Sequence, residues 1–342
     1  MDTTSSSSER AYWAGKAVLV AGATGFIGSH VVEALVDRQA RVRAVGRSRQ
    51  RLETMLGERA GQVEFLEGDL TSPDVARVAC AGMEVVCQLA AKVAGVEYNK
   101  NHPGTVFTDN VAIGLNLLDA AARVQVERFL CMSSACVYRR HCTIPTPESE
   151  GFLEDPETTN FGYGWAKRAL EVQARSYLQE FGIKVAIVRP YNTYGPRDNF
   201  EWETSHVIPA LIRKVVDGQD PIVVWGDGTQ TRSFLYVSDL VEGLLRAVER
   251  YPVGDPVNLG TDEEVTMAEL VRMIVELSGS RTRIVFDTSQ PAGQARRNGD
   301  FTKAREKLGF VPRVSLREGL RRTIQWYVEQ RAGSEVRTHH AT

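Results

Sequence analysis

An α/β fold built on a doubly wound parallel sheet, with a smaller mixed α/β C-terminal domain, is predicted by three features of the sequence. The first is an unbroken apolar run, Ala17 to Ala21, whose lack of polar alternation suits a central parallel strand covered on both faces. The second is the turn that follows, with Gly22, Gly25 and Gly28 at three-residue spacing ahead of an amphipathic segment. The third is the alternation of strand-like and helix-like segments through the first half, an order that calls for parallel pairing and right-handed crossovers.

Taken in order, Phe26 to Asp37 reads as a helix, Arg41 to Val45 as a second strand, Gln50 to Leu56 as a helix and Val63 to Leu66 as a third strand. A helix starts near Pro73, and Glu84 to Leu89 forms a fourth strand ending in Ala90 and Ala91. Val106 to Val124 carries Val111, Leu115, Leu118 and Ala122 at helical spacing. Arg128 to Met132 is the fifth strand, and Ala166 to Phe181 is a helix. From Asn192 the remaining sheet elements mix with helices, two of them amphipathic near Met267 to Leu277 and Leu316 to Gln330.

The glycine turn is Rossmann-type in layout. Gly22 can make the tight turn, Gly25 lets backbone approach a pyrophosphate, and Gly28 lets the helix pack close to the sheet. The orphan amides at the helix start, around Thr24, Phe26 and Ile27, then face an anionic diphosphate. This makes residues 13–191 a dinucleotide-binding domain. Residues 192–330 form a smaller substrate domain whose chain crosses back to the sheet, with a polar, disordered tail at 1–12 and a frayed one at 331–342. The second strand ends Val45, Gly46, Arg47 with no carboxylate to hold a ribose, which favours NADP(H), NAD(H) being the alternative if Arg47 and Arg49 are solvated surface charges. Asp69, followed by Leu70, is placed either to accept a hydrogen bond from adenine or to cap the helix near Pro73.

Composition excludes several classes. With 43% hydrophobic and 25% charged residues and a net charge of -2, the chain has no nucleic-acid footprint and no polybasic membrane patch. The polar, serine-rich start lacks the apolar segment of a signal peptide, and five cysteines without a CxxC pair fit reduced thiols in a cytoplasm. No His/Cys/Asp/Glu cluster has metal-ligand spacing. Cys80, Cys87 and Cys131 read as inert core residues, and His30, His339 and His340 are given no role.

The chemistry lies further on. Ser133 and Ser134 end the fifth strand, and Tyr163 precedes Lys167 by four residues, which puts both on one helix face. An adjacent ammonium and a cationic nicotinamide would both favour the Tyr163 phenolate, which could take a sugar hydroxyl's proton as hydride leaves its carbon. Cys136 lies just past a strand end, where α/β ligands bind. Ser205 can cap a helix whose first turn tolerates Pro209, so His206 stands at a helix mouth, where the dipole disfavours imidazolium.

GATGFIG at 22–28, GDL at 68–70, LAA at 89–91, SSACVY at 133–138, YGWAK at 163–167 and RPYNTYGP at 189–196 occur in order, and the chain resembles the extended short-chain dehydrogenase/reductase family in its nucleotide-sugar epimerase branch. SSACVY, WGDGTQTRSF at 225–234 and the region PAGQARRNGD through KLGF are similar to GDP-mannose 3,5-epimerases. AAKVAGV at 90–96 and YGPRDNFEWETSHVIPAL at 194–211 are similar to GDP-fucose synthases, which epimerise C3 and C5 of a 4-keto sugar and then reduce C4. The resemblance implies Ser134, Tyr163 and Lys167 as the hydride-transfer group, with Cys136 and His206 as opposed acid and base. It places the cofactor against the glycine turn, Asp69, Leu70, Leu89, Ala90 and Ala91. A nucleotide-diphosphate sugar falls against Lys92, Asn192, Val207, Trp225, Arg232 and Arg297, and the long helices pair across a homodimer.

The expected reaction is 3,5- or 5-epimerisation of an NDP-hexose, GDP by likeness, with the cofactor recycled internally. The alternative is an NADPH-consuming epimerase/4-reductase. Ala135 and Cys136 stand where sugar 4,6-dehydratases carry acids, so elimination of water is not expected. A non-catalytic dinucleotide sensor would be expected to lack the Tyr163/Lys167 pair.

Overall fold

The computed structural model describes residues 11–92, 96–290 and 294–339. Part of AAKVAGV, the start of PAGQARRNGD and the two extreme ends of the chain therefore lie outside the described residues. The strands of the first half are β1 (Ala17–Ala21), β2 (Arg41–Gly46), β3 (Glu64–Glu67), β4 (Val85–Gln88), β5 (Arg128–Met132) and β6 (Lys184–Pro190). Then come β7 (Thr193–Tyr194), β8 (Ile222–Trp225), β9 (Thr231–Ser233), β10 (Leu235–Tyr236), β11 (Val253–Leu259), β12 (Glu264–Thr266), β13 (Ile284–Asp287) and β14 (Arg296–Arg297). The helices are α1 (Phe26–Asp37), α2 (Arg49–Leu56), α3 (Pro73–Cys80), α4 (Val96–Asn101), α5 (Pro103–Arg123), α6 (Phe161–Phe181), α7 (Val207–Val216), α8 (Val237–Arg250), α9 (Met267–Leu277) and α10 (Leu316–His339).

A seven-stranded sheet in the order β11-β6-β5-β4-β1-β2-β3 forms the centre, with every pairing parallel. The order reverses between β1 and β4, which makes their carboxyl ends the switch point of a doubly wound sheet. Alternate residues of one strand feed separate cores. Val18 and Val20 pack with Val31, Val32 and Leu35 of α1 and with α8 on one face, whereas Leu19 and Ala21 pack with Ala76, Leu117, Leu118 and Leu170 of α3, α5 and α6 on the other. Apolar residues in both registers are what a strand covered on two sides requires.

β11 joins the sheet beside β6 although it follows much of the smaller region in sequence. That region carries the paired strands β8 and β13, the three-stranded set β12-β9-β14, and α7, α9 and α10. Local signals set the helix ends: Ser48 caps α2 by accepting the Arg51 amide at 3.2 Å, and Thr266 and Glu269 close a reciprocal cap on α9.

Several boundaries differ from the sequence reading. Residues 11 and 12 are not tail: Trp13 is fully buried with its indole N–H on Glu249, and the Tyr12 ring packs edge-on against it at 4.9 Å. α6 starts at Phe161, five residues before Ala166, so Tyr163 lies within the helix. α10 continues past Arg331 to His339. Among the described residues no helix is long and apolar enough to cross a membrane.

Candidate active site

The end of β1 is shaped for a flat, anionic ligand. Gly22 has φ +85°, and a Cβ there would stand 2.8 Å from the Ala90 backbone at the end of β4. A Cβ on Gly28 would meet the Gly22 carbonyl oxygen at 2.1 Å, so α1 can press onto the turn only with glycine there. Gly25 caps α1 through its backbone alone, leaving the first-turn amides at Phe26 and Ile27 without a side-chain cap. Gln88 is buried and donates to Ala90 O at 2.8 Å, which fixes Leu89 to Ala91 against the turn. These residues fit a dinucleotide pyrophosphate: the cradle is one that any Cβ would fill, and the donors are those of a helix N-terminus.

Around this cradle, Arg47 is exposed just beyond β2, and Arg51 of α2 donates to Thr24 O at 3.0 Å. The Asp69 carboxylate folds back on Thr71, accepting its amide and hydroxyl at 2.9 Å each, and these bonds hold it below the usual carboxylate range. The turn leading into α3 is thus made by Asp69, while Ser72 and Pro73 start the helix and Leu70 is buried beside it.

The two serines at the end of β5 have separate tasks. Ser133 is buried and donates to Glu171, which also takes two bonds from the buried Arg189 at 2.8 and 2.7 Å. Ser134 caps the short turn Ala135–Val137, accepting the Cys136 amide at 3.1 Å, and its hydroxyl meets the Tyr163 phenol. A Cβ on Gly164 would stand 2.5 Å from Cys136 O, so the glycine beside Tyr163 is what lets α6 reach the cysteine turn. Burial and the neighbouring Cys136 push the Tyr163 hydroxyl up, and Ser134 only partly opposes them.

Lys167 lies one helical turn on, its ammonium 5.4 Å from the Tyr163 ring centroid and donating to Met132 O at 2.7 Å. Burial lowers it to about 8. The Lys167 ammonium, one helical turn from Tyr163, is desolvated and bonded to a carbonyl, so the phenolate expected at Tyr163 calls on the cationic nicotinamide as well.

The smaller region contributes two arginines from paired strands. Arg232 on β9 and Arg297 on β14 are register partners in a parallel pair. Arg297 donates to Ala135 O at 2.8 Å; burial draws its pKa down, but the adjacent Cys136, Tyr191 and Glu157 more than offset that. Burial and the Arg297 charge lower Arg232, against which Glu157 acts. Cys136 thus interacts with Tyr163 of α6 and with the Arg297 guanidinium of β14.

His206 is itself the N-cap of α7, one residue later than the Ser205 cap expected, with its carbonyl accepting the Ala210 amide at 3.0 Å. Its side chain is 53% exposed, and Nδ1 lies 3.7 Å from the Asp198 carboxylate. That carboxylate raises the imidazole above its ordinary value against the partial desolvation of its half-exposed ring, the reverse of the direction expected from the helix dipole alone. Lys92 is paired with Asp109 at 2.7 Å. Asn192 donates to Ser233 O at 3.1 Å, while Val207 and Trp225 are exposed, the latter at 60%.

The structure thus brings Ser134, Cys136, Tyr163, Lys167 and Arg297 together directly, Arg232 adjoining through Arg297, and sets His206 on a separate element. Asp198 and Glu157 were missed by the sequence reading. An acid eight residues ahead of a histidine in an irregular loop carries no periodic signal, and Glu157 gains meaning only when β9 and β14 bring the two arginines beside it. Among the described residues no group of three or more His, Cys, Asp or Glu could hold a metal ion. Cys80, Cys87 and Cys131 are buried, and burial pushes the first two thiols to about 12 and the third higher still.

Residues 18–260 match the model of the NAD dependent epimerase/dehydratase family. The chain is 37% identical over 245 residues to the probable GDP-L-fucose synthase 1 of Oryza sativa subsp. japonica, covering 70% of this chain and 74% of that protein. It is 34% identical to dTDP-4-dehydro-6-deoxy-D-allose reductase of a Streptomyces species, covering 92% and 97%. It is 32% identical to GDP-mannose 3,5-epimerase 1 of Oryza sativa subsp. japonica, covering 93% and 84%. Among solved structures, an epimerase from Methanothermobacter thermautotrophicus superposes with a TM-score of 0.87 at 28% identity over 96% of this chain and 97% of that one. UDP-glucose 4-epimerase from Thermotoga maritima with UDP-glucose gives 0.82 at 28% identity, covering 92% and 99%.

Proposed function

The chain belongs to the NAD dependent epimerase/dehydratase family, and from that membership we propose that it is a GDP-hexose epimerase, inverting C5, or C3 and C5, through a transient 4-keto sugar. The observation that carries this reading is the Cys136 thiol, which interacts with both Tyr163 and Arg297. A cysteine there gives the hydride-transfer group a proton carrier that oxidation and reduction at C4 alone would not need.

Bound nicotinamide dinucleotide supplies the chemistry of taking hydride from C4 and returning it. With the Lys167 ammonium and the cationic nicotinamide to favour its phenolate, Tyr163, oriented by Ser134, would receive the C4 hydroxyl proton and give it back. Lys167 is pinned by the Met132 carbonyl on the same helix face. Once C4 is a ketone, the C–H bonds at C3 and C5 are acidic. Inversion then needs a proton removed from one face of the sugar and delivered to the other, and Cys136 and His206 serve as the two carriers. The paired guanidiniums of Arg232 and Arg297 suit the sugar's diphosphate. NADP(H) is the favoured cofactor, because Arg47 follows β2 where a ribose-binding carboxylate would stand.

An apolar groove of about 850 Å³ lies between α5 and α6, lined by Phe107, Phe152, Phe161, Trp165 and Val172. Its occupant in this reading is the same groove of a second copy, giving a homodimer.

Arg47 and His206 favour a second reading, an epimerase/4-reductase that consumes NADPH. Two incubations separate them: GDP-mannose with no added reductant, and the 4-keto-6-deoxy derivative of GDP-mannose with NADPH. The expected result is epimerised GDP-hexose from the first, with no net change at the nicotinamide absorbance band. Stoichiometric NADPH loss in the second, with GDP-mannose unturned, establishes the other reading. Inertness towards both refutes the assignment of nucleotide or sugar.

A further inference from the structure

We propose that Asp198 is the positioning residue for His206, its buried carboxylate holding the imidazole ring in place at the mouth of α7; this rests on His206 being a proton carrier of the reaction above. The Asp198 side chain is 2% exposed. Its Oδ1 accepts the Asn199 amide at 2.7 Å and lies 3.7 Å from His206 Nδ1, an ion-pair separation longer than a direct hydrogen bond. Its Oδ2 is buried with no hydrogen-bond partner among the described residues. A buried carboxylate left half satisfied is costly unless a cation stands beside it, and the imidazolium of His206 is that cation.

The chain just before Asp198 is bolted down, so the carboxylate cannot escape to water. Arg197 has φ +67°, donates to Met55 O at 2.7 Å, and bonds both His30 and Glu33 of α1. Pro196 O meets His30 Nε2 at 2.9 Å. On the other side, Asn199 donates to Thr204 at 2.8 Å and Ser205 N to Glu201 O at 3.1 Å, which closes the loop onto the mouth of α7. The strap therefore ties the helix that forms the dinucleotide cradle to the carboxylate facing His206.

Two fields act on the imidazole from the elements packed around it. The positive end of α7 disfavours its charge, and Asp198 favours it. Asp198 prevails, and the ring is held above its ordinary range. Glu201 and Glu203 of the same loop are exposed, and Arg213 of α7 turns instead to Phe200 O and the Trp202 ring.

The test is an NMR titration of the full-length, ligand-free protein, with the His206 resonance identified among six histidines by its loss in His206→Gln. The wild-type midpoint is expected above about 6.5. In Asp198→Asn it is expected to fall by about one pH unit, a roughly tenfold loss of proton affinity, with Asp198→Glu restoring part of it. The limb of the kcat/KM profile owed to His206 should move to lower pH by the same amount, with KM for the nucleotide sugar unchanged. A purely structural Asp198 would lower activity without moving either midpoint, and that result overturns the proposal. So does a wild-type midpoint at or below 6.5, which needs no variant to fold. A shifted midpoint in a protein inert to nucleotide sugars keeps the Asp198–His206 assignment and removes the epimerase reading.

Discussion

Replacing His30 with glutamine should flatten the loss of stability that the protein suffers on mild acidification. His30 sits on α1 under the Pro196–Arg197 strap, with its side chain only 15% exposed. Burial first, and the Arg197 charge second, lower its pKa to about 4. The unfolded chain titrates near 6.5, so between these values the unfolded state binds more protons than the folded one, and stability falls as pH falls through that window. From the two pKa values the loss is about 2 kcal/mol at pH 5 and about 3 kcal/mol near pH 4, relative to pH 7, where both states are largely neutral. His206 acts in the opposite sense, since its raised pKa makes the Asp198 pair stabilising below 6.5 and lost at higher pH; that contribution is common to both proteins and cancels. Glu264, lowered to about 2 chiefly by Arg296, loses its contribution mostly below pH 5. Equilibrium urea unfolding of wild type and His30→Gln at pH 7 and pH 5, followed by tryptophan fluorescence, reads the difference. Comparing each protein with itself removes the pH-independent cost of the substitution. If the variant loses as much stability as the wild type over that interval, the reasoning about the strap is wrong.

Two further outcomes concern the cofactor and the partner. Arg47→Ala should weaken NADP(H) several-fold more than NAD(H) in fluorescence titrations, since a charge-assisted contact to the extra phosphate is lost; equal weakening would make Arg47 a surface charge. Val172→Glu, placed on the 51%-exposed position of the α5/α6 groove, should halve the mass measured by light scattering at micromolar concentration; a monomeric wild type would contradict the dimer.

What could be read from the sequence follows from how local each signal is. Gly22, Gly25 and Gly28 mark a turn whose chemistry is contained in seven residues, so strand, turn and helix appear in the structure where the spacing puts them. The start of α6 was misplaced by five residues because Phe161 to Trp165 lacks a clear apolar stripe; what holds that turn is the close approach of Gly162 to Pro103 and of Gly164 to Cys136, neither of which periodicity reports. Ser133 and Ser134 are adjacent and chemically alike, and only the extended backbone that continues beyond β5 sends one to Glu171 and the other to Tyr163. The direction of the His206 shift was lost for a similar reason. The helix mouth is visible in Pro209, whereas the buried carboxylate that reverses its effect comes from a loop fixed by α1.

The central claim is that Cys136 and His206 carry protons to and from the sugar carbons next to C4. Running the reaction in deuterium oxide with GDP-mannose and the cofactor, and locating deuterium in the recovered sugar by NMR and mass spectrometry, tests it directly. Wild type should incorporate deuterium at C5, or at C3 and C5, and Cys136→Ser and His206→Asn should incorporate none while both variants still bind the dinucleotide. Unchanged incorporation in both variants would contradict it.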